Sequence, residues 1–317
     1  MSNRHSINSS SSSPEAHLPQ LEETNRTRDN PSPPLAKTKV RRIYRVLWYG
    51  INVLLVTSVF SVLYTTTWEF ATRRYLMGFS DAVIPAGATP EVKIAAILAW
   101  MSHGPSRRVD PIEISENRDP TDTLNYQSLL NVCGSATNAF INLADSSGLS
   151  ARRLLLLDSD RGTRHVVAEV YVEGRWIVVD PSFRMILRGA SGQLLTRRDL
   201  ADPEVFSSVT GNIQNYDPSY NYAITEHIHL DRFPIYGAFV RKGLNVLLPG
   251  WEDSPSVSLV VERESLAAMI ASFLTLMLLV LIRINLRWFG ESYLGIRTLH
   301  IREQFRRAAH TFLKTPS

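Results

Sequence analysis

Cysteine is nearly absent from this sequence: among 317 residues there is a single one, Cys133. One thiol cannot form a disulfide within its own chain, and it lacks the short paired Cys and His spacings of structural zinc sites. The sequence therefore predicts neither a disulfide-stabilised scaffold nor a metal or other cofactor. A lone cysteine is by default a small buried residue, so a catalytic role for Cys133 needs further support.

Charge of one sign is not in large excess, since 34 Lys and Arg stand against 30 Asp and Glu, for a formal net charge of +4. The basic residues are not interleaved with the aromatic residues that would stack on bases, so no nucleic-acid partner is predicted. They concentrate instead beside apolar segments. This pattern indicates a lipid bilayer as the partner.

Two long uncharged runs, Val46 to Trp68 and Ser265 to Ile282, predict transmembrane helices. They have about 23 and about 18 residues, and a helix needs about 20 to cross a bilayer. By the positive-inside rule, their basic flanks place both termini in the cytoplasm and the segment between them on the outer face. Those flanks contain Lys37, Lys39, Arg41, Arg42 and Arg45 before the first run, and Arg283, Arg287, Arg297, Arg302, Arg306 and Arg307 after the second. The alternative is a cleaved signal followed by a buried core helix.

The chain is therefore divided into five segments in a plasma or bacterial inner membrane. They are a disordered basic cytoplasmic tail (1–42), a transmembrane helix (43–68), an extracytoplasmic domain (69–264), a second transmembrane helix (265–286) and a basic cytoplasmic tail (287–317). The Ser-, Pro- and Asn-rich start cannot bury enough apolar surface to fold alone. In the last segment, mixed apolar and basic residues from Trp288 to Phe312 predict a short amphipathic helix on the inner surface.

Within the outer domain, apolar residues at helical spacing predict a helix from Pro90 to about His103 and another from Cys133 to about Ser147. Alternating and apolar runs predict strands over Arg153–Leu157, His165–Val172 and Arg175–Asp180. Residues 184–260 indicate a mixture of short strands and loops.

The last two of these strands form a hairpin whose geometry can be derived. If Glu173–Gly174 is a two-residue turn, Val172 pairs with Arg175. This register puts His165 and Asp180 on the same face as diagonal neighbours, roughly 7–8 Å apart at the backbone and within reach of their side chains.

A thiol at a helix start beside an imidazole and a carboxylate is the arrangement of a thiol nucleophile. The helix N-terminus and the imidazole of His165 lower the pKa of the Cys133 thiol, and the carboxylate of Asp180 fixes the imidazole tautomer. The backbone N–H of Cys133 is the predicted donor to an oxyanion.

Three alternatives compete with this interpretation. Glu169 lies on the same face of the hairpin and could replace Asp180 as the partner of His165. The three residues could instead bind zinc, although their spacing is not that of a zinc site. His227 and His229 would project to one side of an extended segment and could bind a metal.

The segments together resemble the transglutaminase-like superfamily over roughly residues 90–200. The resemblance is carried by the helix PEVKIAAILAWMSH, the nucleophile helix CGSATNAFINLADSSGLSARRLLL, the hairpin HVVAEVYVEGRWIVVDPSF and the trailing SGQLLTRRDL. It implies an α+β, papain-like core, with a nucleophile helix packed on an antiparallel sheet, between the two transmembrane helices. It also implies Cys133 as nucleophile, His165 as general base and acid, and Asp180 as the orienting carboxylate. Family members often carry an aromatic residue soon after the His, where this chain has Val166–Ala168.

The expected function is that of a membrane-anchored thiol acyltransferase, hydrolase or peptidase. It would act on amide or peptide bonds at the outer face or in the periplasm, through a thioester on Cys133. The sequence is compatible with either water or an amine as the acyl acceptor. The first alternative is a catalytically silent scaffold or binding domain in cell-envelope or exported-polysaccharide machinery, with cell-envelope proteins as partners. The second is a structural membrane protein whose outer domain only docks a partner.

Overall fold

The computed structural model describes residues 35–104, 119–228 and 237–295. The helices in these residues are α1 (Leu35–Val83), α2 (Pro90–His103), α3 (Pro120–Asn125), α4 (Cys133–Ser146), α5 (Arg197–Leu200), α6 (Pro203–Thr210), α7 (Gly237–Leu247), α8 (Pro255–Glu262) and α9 (Glu264–Ser292). The strands are β1 (Ala151–Leu157), β2 (Thr163–Val172), β3 (Arg175–Asp180), β4 (Met185–Ile186) and β5 (Thr225–Glu226). Short 3-10 turns at Leu129–Asn131 and Trp251–Asp253 precede α4 and α8.

The five strands form one antiparallel sheet in the order β4-β3-β2-β1-β5. One face packs on α2 and α4 through a core that includes Ile97, Phe140 and Val170. The other face carries a second core, which includes Val178 and Phe206, contributed in part by the chain after β3. Because both faces are covered, alternate residues of the central strands β1 to β3 enter two different cores.

The helices α1 and α9 are long and apolar enough to cross a membrane. Each contains one of the two runs that the sequence predicts as transmembrane. Their apolar side chains are largely exposed, as at Leu63, Tyr64, Leu274 and Met277. Because a core helix of a soluble protein would bury such side chains, this exposure argues against the alternative of a buried core helix.

The two long helices contact each other through small polar residues. The hydroxyls of Ser61 and Ser272 lie 3.2 Å apart. On α1, Ser58, Thr65 and Thr72 follow one another at intervals of seven and are buried. Buried small residues on one stripe are typical of helices that pack closely in a bilayer.

The segment boundaries differ from the predictions at the N-terminal side. Among the described residues, the start of α1 up to Val46 belongs to one unit and the residues from Leu47 onward belong to a second. Residues 35–42, predicted to belong to a disordered tail, are helical. At the C-terminal side, residues 287–292 of the predicted tail belong to α9. Residues 1–34 and 296–317, the remainder of the two predicted tails, lie outside the described residues.

The prediction of short strands and loops over 184–260 is incomplete: the described part contains the short strands β4 and β5 and several loops, but also the helices α5, α6 and α7 and most of α8. The short helix α5 starts with a capping box in which Thr196 and Asp199 bond each other's backbone N–H. The next helix, α6, has Asp202 as its N-cap and Pro203 in its first turn. These helices are stabilised by the caps at their ends. Most are too short for a helical repeat of apolar residues to be recognised in the sequence.

A buried polar network fixes α4 to the start of α9. The Arg263 guanidinium donates to Asn142 Oδ1 at 2.8 Å and lies 3.3 Å from Glu69 Oε1 on α1. Glu69 also accepts a 2.7 Å hydrogen bond from the Ser265 hydroxyl. Next to this group, the Asn138 amide on α4 donates to the backbone carbonyl of Glu262. Arg263, which immediately precedes α9, thus links α4 to α1 by hydrogen bonds.

The turn between β2 and β3 is the predicted two-residue turn, with Val172 paired to Arg175. Glu173 and Gly174 both have positive φ, 49° and 83°. This is the conformation of a type I′ turn, in which Asn followed by Gly is favoured because Asn tolerates positive φ better than Glu does.

We therefore expect Glu173→Asn to stabilise the protein by about 0.5–1 kcal/mol, since it relieves the left-handed strain at an exposed position. The measurement is the urea midpoint of the full chain in detergent, followed by tryptophan fluorescence. Glu173→Gln is the matched control, because it removes the charge but keeps the strain. An Asn midpoint no higher than the Gln midpoint would contradict this account of the turn.

Candidate active site

Cys133 is the first residue of α4 and is partly buried. Val132 occupies the N-cap position without a capping side chain. The first helical hydrogen bond runs from Ala136 N–H to the Val132 carbonyl, 2.8 Å, so the N–H groups of residues 133–135 precede it. Two backbone N–H groups, those of Gly134 and Val166, donate to the Cys133 sulfur. The sulfur thus lies where a helix N-terminus and a strand backbone both favour negative charge.

His165 lies near the start of β2, where an irregularity between Leu156 and Leu157 of β1 shifts the pairing register. The side chain is 3% exposed. Its Nε2 donates to Asp180 Oδ2 at 2.8 Å, and the ring also hydrogen-bonds to Cys133. Because Nε2 is taken by the carboxylate, Nδ1 is the nitrogen available to the thiol.

Asp180 is the last residue of β3 and is fully buried. Its Oδ1 accepts hydrogen bonds from the Ser182 hydroxyl at 2.7 Å, the Ser182 N–H at 3.1 Å and the Phe183 N–H at 3.2 Å. Burial above all raises the pKa of the Tyr216 hydroxyl, and this carboxylate contributes to that rise. Since one oxygen is held by the turn after β3, the other is held in a fixed direction toward His165.

The three side chains perturb one another's protonation. Burial alone would raise the pKa of the Cys133 thiol, but the hydrogen bond and charge of His165 lower that pKa below its ordinary value. Burial likewise disfavours a charged imidazole, yet hydrogen bonds to Asp180 and Cys133 raise the pKa of His165 to about 9. Both directions favour a thiolate–imidazolium pair near neutral pH.

Aromatic rings that the sequence analysis did not identify enclose the imidazole. The Tyr220 ring stacks on His165 with centroids 4.4 Å apart and an interplanar angle of 2°. Phe183 and Tyr216 meet it edge-on, with centroids at 6.0 and 6.2 Å. The sequence shows only a cluster of Tyr216, Tyr220 and Tyr222, which does not reveal that the first two contact His165.

Glu169, the alternative partner of His165, is engaged elsewhere. Its Oε2 accepts from Arg152 Nε at 2.8 Å and lies 2.8 Å from His227 Nε2. The other ring nitrogen of His227 lies 2.9 Å from Asp253 Oδ1. Both nitrogens of His227 are therefore occupied by carboxylates, which leaves none for a metal. His229 lies outside the described residues, and no His, Cys, Asp and Glu cluster suited to a metal occurs within residues 35–104, 119–228 and 237–295.

Residues 78–181 match the family model described as the transglutaminase-like superfamily. The matched segment includes Cys133, His165 and Asp180. This match confirms the predicted resemblance to that superfamily over this segment, and the predicted α+β fold is confirmed as well. No curated protein and no solved structure matches the chain.

The protonation argument predicts the pH dependence of thiol alkylation. In the wild-type chain, the midpoint of Cys133 alkylation by iodoacetamide should fall well below the ordinary thiol value of about 8.5. In His165→Ala the midpoint should rise above that value, because the cation is lost while the burial that disfavours a thiolate remains.

The measurement is the alkylation rate of the full chain in detergent as a function of pH, read by mass spectrometry. Cys133 is the only cysteine, so no other thiol contributes, and the urea-denatured chain supplies the reference thiol. A wild-type midpoint equal to that of the denatured chain would rule out a primed pair of Cys133 and His165.

Proposed function

We propose that this domain is a thiol acyltransferase or hydrolase that acts on amide or peptide bonds through a thioester on Cys133. The observation that carries the proposal is the arrangement of three side chains: Cys133 begins α4 and interacts with His165, whose Nε2 lies 2.8 Å from Asp180 Oδ2. The match of residues 78–181 to the transglutaminase-like superfamily supports the same chemistry.

In the first half-reaction the Cys133 thiolate attacks the substrate carbonyl carbon and a carbon–sulfur bond forms. The carbonyl oxygen becomes an oxyanion, for which the N–H groups at the start of α4, that of Cys133 first, are the proposed donors. The His165 imidazolium then gives its proton to the leaving nitrogen. The carbon–nitrogen bond breaks, an amine departs and the thioester remains.

In the second half-reaction a water molecule or an amine attacks the thioester carbonyl. Neutral His165 takes the proton of the attacking group, the carbon–sulfur bond breaks and the Cys133 thiolate returns beside the imidazolium. Water gives hydrolysis and an amine gives transamidation. Throughout both steps Asp180 keeps the imidazole in one tautomer and orientation. No step requires a metal or a cofactor.

The two apolar helices support a membrane-anchored form of this enzyme. Basic residues at their outer flanks in the sequence, Arg41 and Arg45 before the first run and Arg283 and Arg287 after the second, support cytoplasmic termini. The catalytic domain would then face the periplasm or the cell exterior. Its substrate would be a peptide or amide there, and cell-envelope proteins would be its partners.

The thioester can be tested directly. With p-nitrophenyl acetate as acyl donor, the wild-type chain should add one acetyl group at Cys133 that hydroxylamine removes, and Cys133→Ala should add none. Asp180→Asn should slow acetylation by about a hundredfold, because a misoriented imidazole loses the geometry that proton transfer needs.

The readout is intact-protein and peptide mass spectrometry of samples quenched at low pH. Glu169→Gln serves as the control for a change to another buried carboxylate on the same face of β2. Acetyl transfer retained by Cys133→Ala would overturn the mechanism, and a folded wild-type chain that forms no thioester would favour the catalytically silent scaffold.

The membrane topology can be tested with single cysteines. In a Cys133→Ser background, a cysteine at the exposed position of Ser191 should react with a membrane-impermeant maleimide in intact cells. A cysteine at Ser11, in the N-terminal tail, should react only after the cells are permeabilised. Labelling in the reverse order would place the domain in the cytoplasm.

A further inference from the structure

The ring of Tyr220 packs on one face of the His165 imidazole. The two rings are parallel, with centroids 4.4 Å apart. We infer that Tyr220 is a positioning residue, whose ring fixes the plane of His165 between Cys133 and Asp180 and stabilises the imidazolium. This inference rests on the proposed nucleophilic role of Cys133.

The position of the Tyr220 ring is itself determined by its neighbours. Tyr216 meets it edge-on, with centroids 5.3 Å apart. Tyr216 is buried, and its hydroxyl lies 3.0 Å from that of Tyr222, which is also buried. Burial raises the pKa of the Tyr216 hydroxyl, and the carboxylate of Asp180, which holds His165, contributes to that rise. Tyr220 is therefore held against His165 by the buried ring of Tyr216, whose hydroxyl is in turn held by Tyr222.

The stacking has a consequence for charge as well as for orientation. The two hydrogen bonds of His165 restrain the ring at its nitrogens, whereas the face contact restrains its tilt. An aromatic face attracts a cation, so a Tyr220 ring parallel to the imidazole favours the imidazolium over the neutral form. Since the imidazolium is the partner of the thiolate, the ring also favours the ionised form of Cys133.

Other charged and titratable groups also affect the protonation of His165, and a test of Tyr220 must leave their charges unchanged. Cys133 faces it from α4 and Asp180 from β3. Asp217 acts from the same loop as Tyr220, and it is exposed. Arg164 precedes His165 and is paired with Asp158. None of these charges changes when the Tyr220 side chain is replaced by a neutral one.

Tyr220 is only partly buried, so its replacement does not empty a core position. Burial raises the pKa of its hydroxyl, with the charges of Asp217 and Cys133 acting in the same direction, so the phenol is neutral at working pH. A role of the ring can therefore be separated from a role of the hydroxyl. Tyr220→Phe keeps the ring alone, whereas Tyr220→Leu keeps the bulk without the aromatic face.

The experiment is the pH profile of Cys133 alkylation, together with the rate of acetylation by p-nitrophenyl acetate, in the full chain in detergent. Tyr220→Leu should move the acid limb of the alkylation profile upward by about half a unit to one unit and slow acetylation near neutral pH about tenfold. Tyr220→Phe should restore the wild-type profile.

Each outcome decides a different question. A wild-type thiol with an unperturbed pKa overturns the proposed function. A perturbed wild-type thiol with an unchanged profile in Tyr220→Leu overturns the role of Tyr220 alone, and so does a profile in Tyr220→Phe that matches the Leu variant. If the Leu variant has a lower thermal midpoint than wild type, Tyr220→Met replaces it, with the same expectation.

Discussion

The register of the β2–β3 hairpin is the constraint on which the site depends. Because neighbouring residues of a strand point to opposite faces, a slip of one residue would move Asp180 to the face opposite His165. The two-residue turn prevents that slip by pairing Val172 with Arg175. The two cores reinforce it, since each face of the hairpin has its own apolar partners. The geometry of the site therefore depends on contacts at the turn, which lie more than about 10 Å from His165 and Asp180 along the strands, at roughly 3.3 Å per residue.

Each of the three proposed catalytic side chains lies at or near the end of a secondary-structure element. Cys133 begins α4, His165 lies near the start of β2 and Asp180 ends β3. At the ends of helices and strands, some backbone N–H groups have no partner within the helix or the sheet. Here such groups interact with the Cys133 sulfur and with Asp180 Oδ1. A carboxylate whose first oxygen is bound by its own turn cannot rotate to serve another partner. Glu169, in the middle of β2, has no such restraint and is bound instead by Arg152 and His227.

The parts of the fold that the sequence predicts are those with local signals. The helix α4, the turn Glu173–Gly174 and the strands around it follow from periodicity, and they bring Cys133, His165 and Asp180 within reach of one another. The helices α5 and α6 were missed because their signals are single caps rather than apolar periods. Tyr220 was missed for a different reason: its contact with His165 is tertiary, and no pattern near either residue encodes it. The contact between Glu169 and His227 is equally non-local. Only the structure therefore shows that Asp180, and not Glu169, is the carboxylate that contacts His165.

The polar network at the base of α4 bears on how the domain relates to the two long helices. Arg263 and Glu69 are almost fully buried, and removing either partner of such a group leaves a buried charge uncompensated. Arg263 immediately precedes α9 and Glu69 belongs to α1. Arg263 also donates a hydrogen bond to Asn142 on α4. A cut at the predicted domain edges, 69 and 264, would leave Glu69 at a chain end and remove its partner Ser265. The orientation of α4, and with it of Cys133, thus depends on contacts at the ends of the two candidate membrane helices, and a domain cut at these edges would lose part of them.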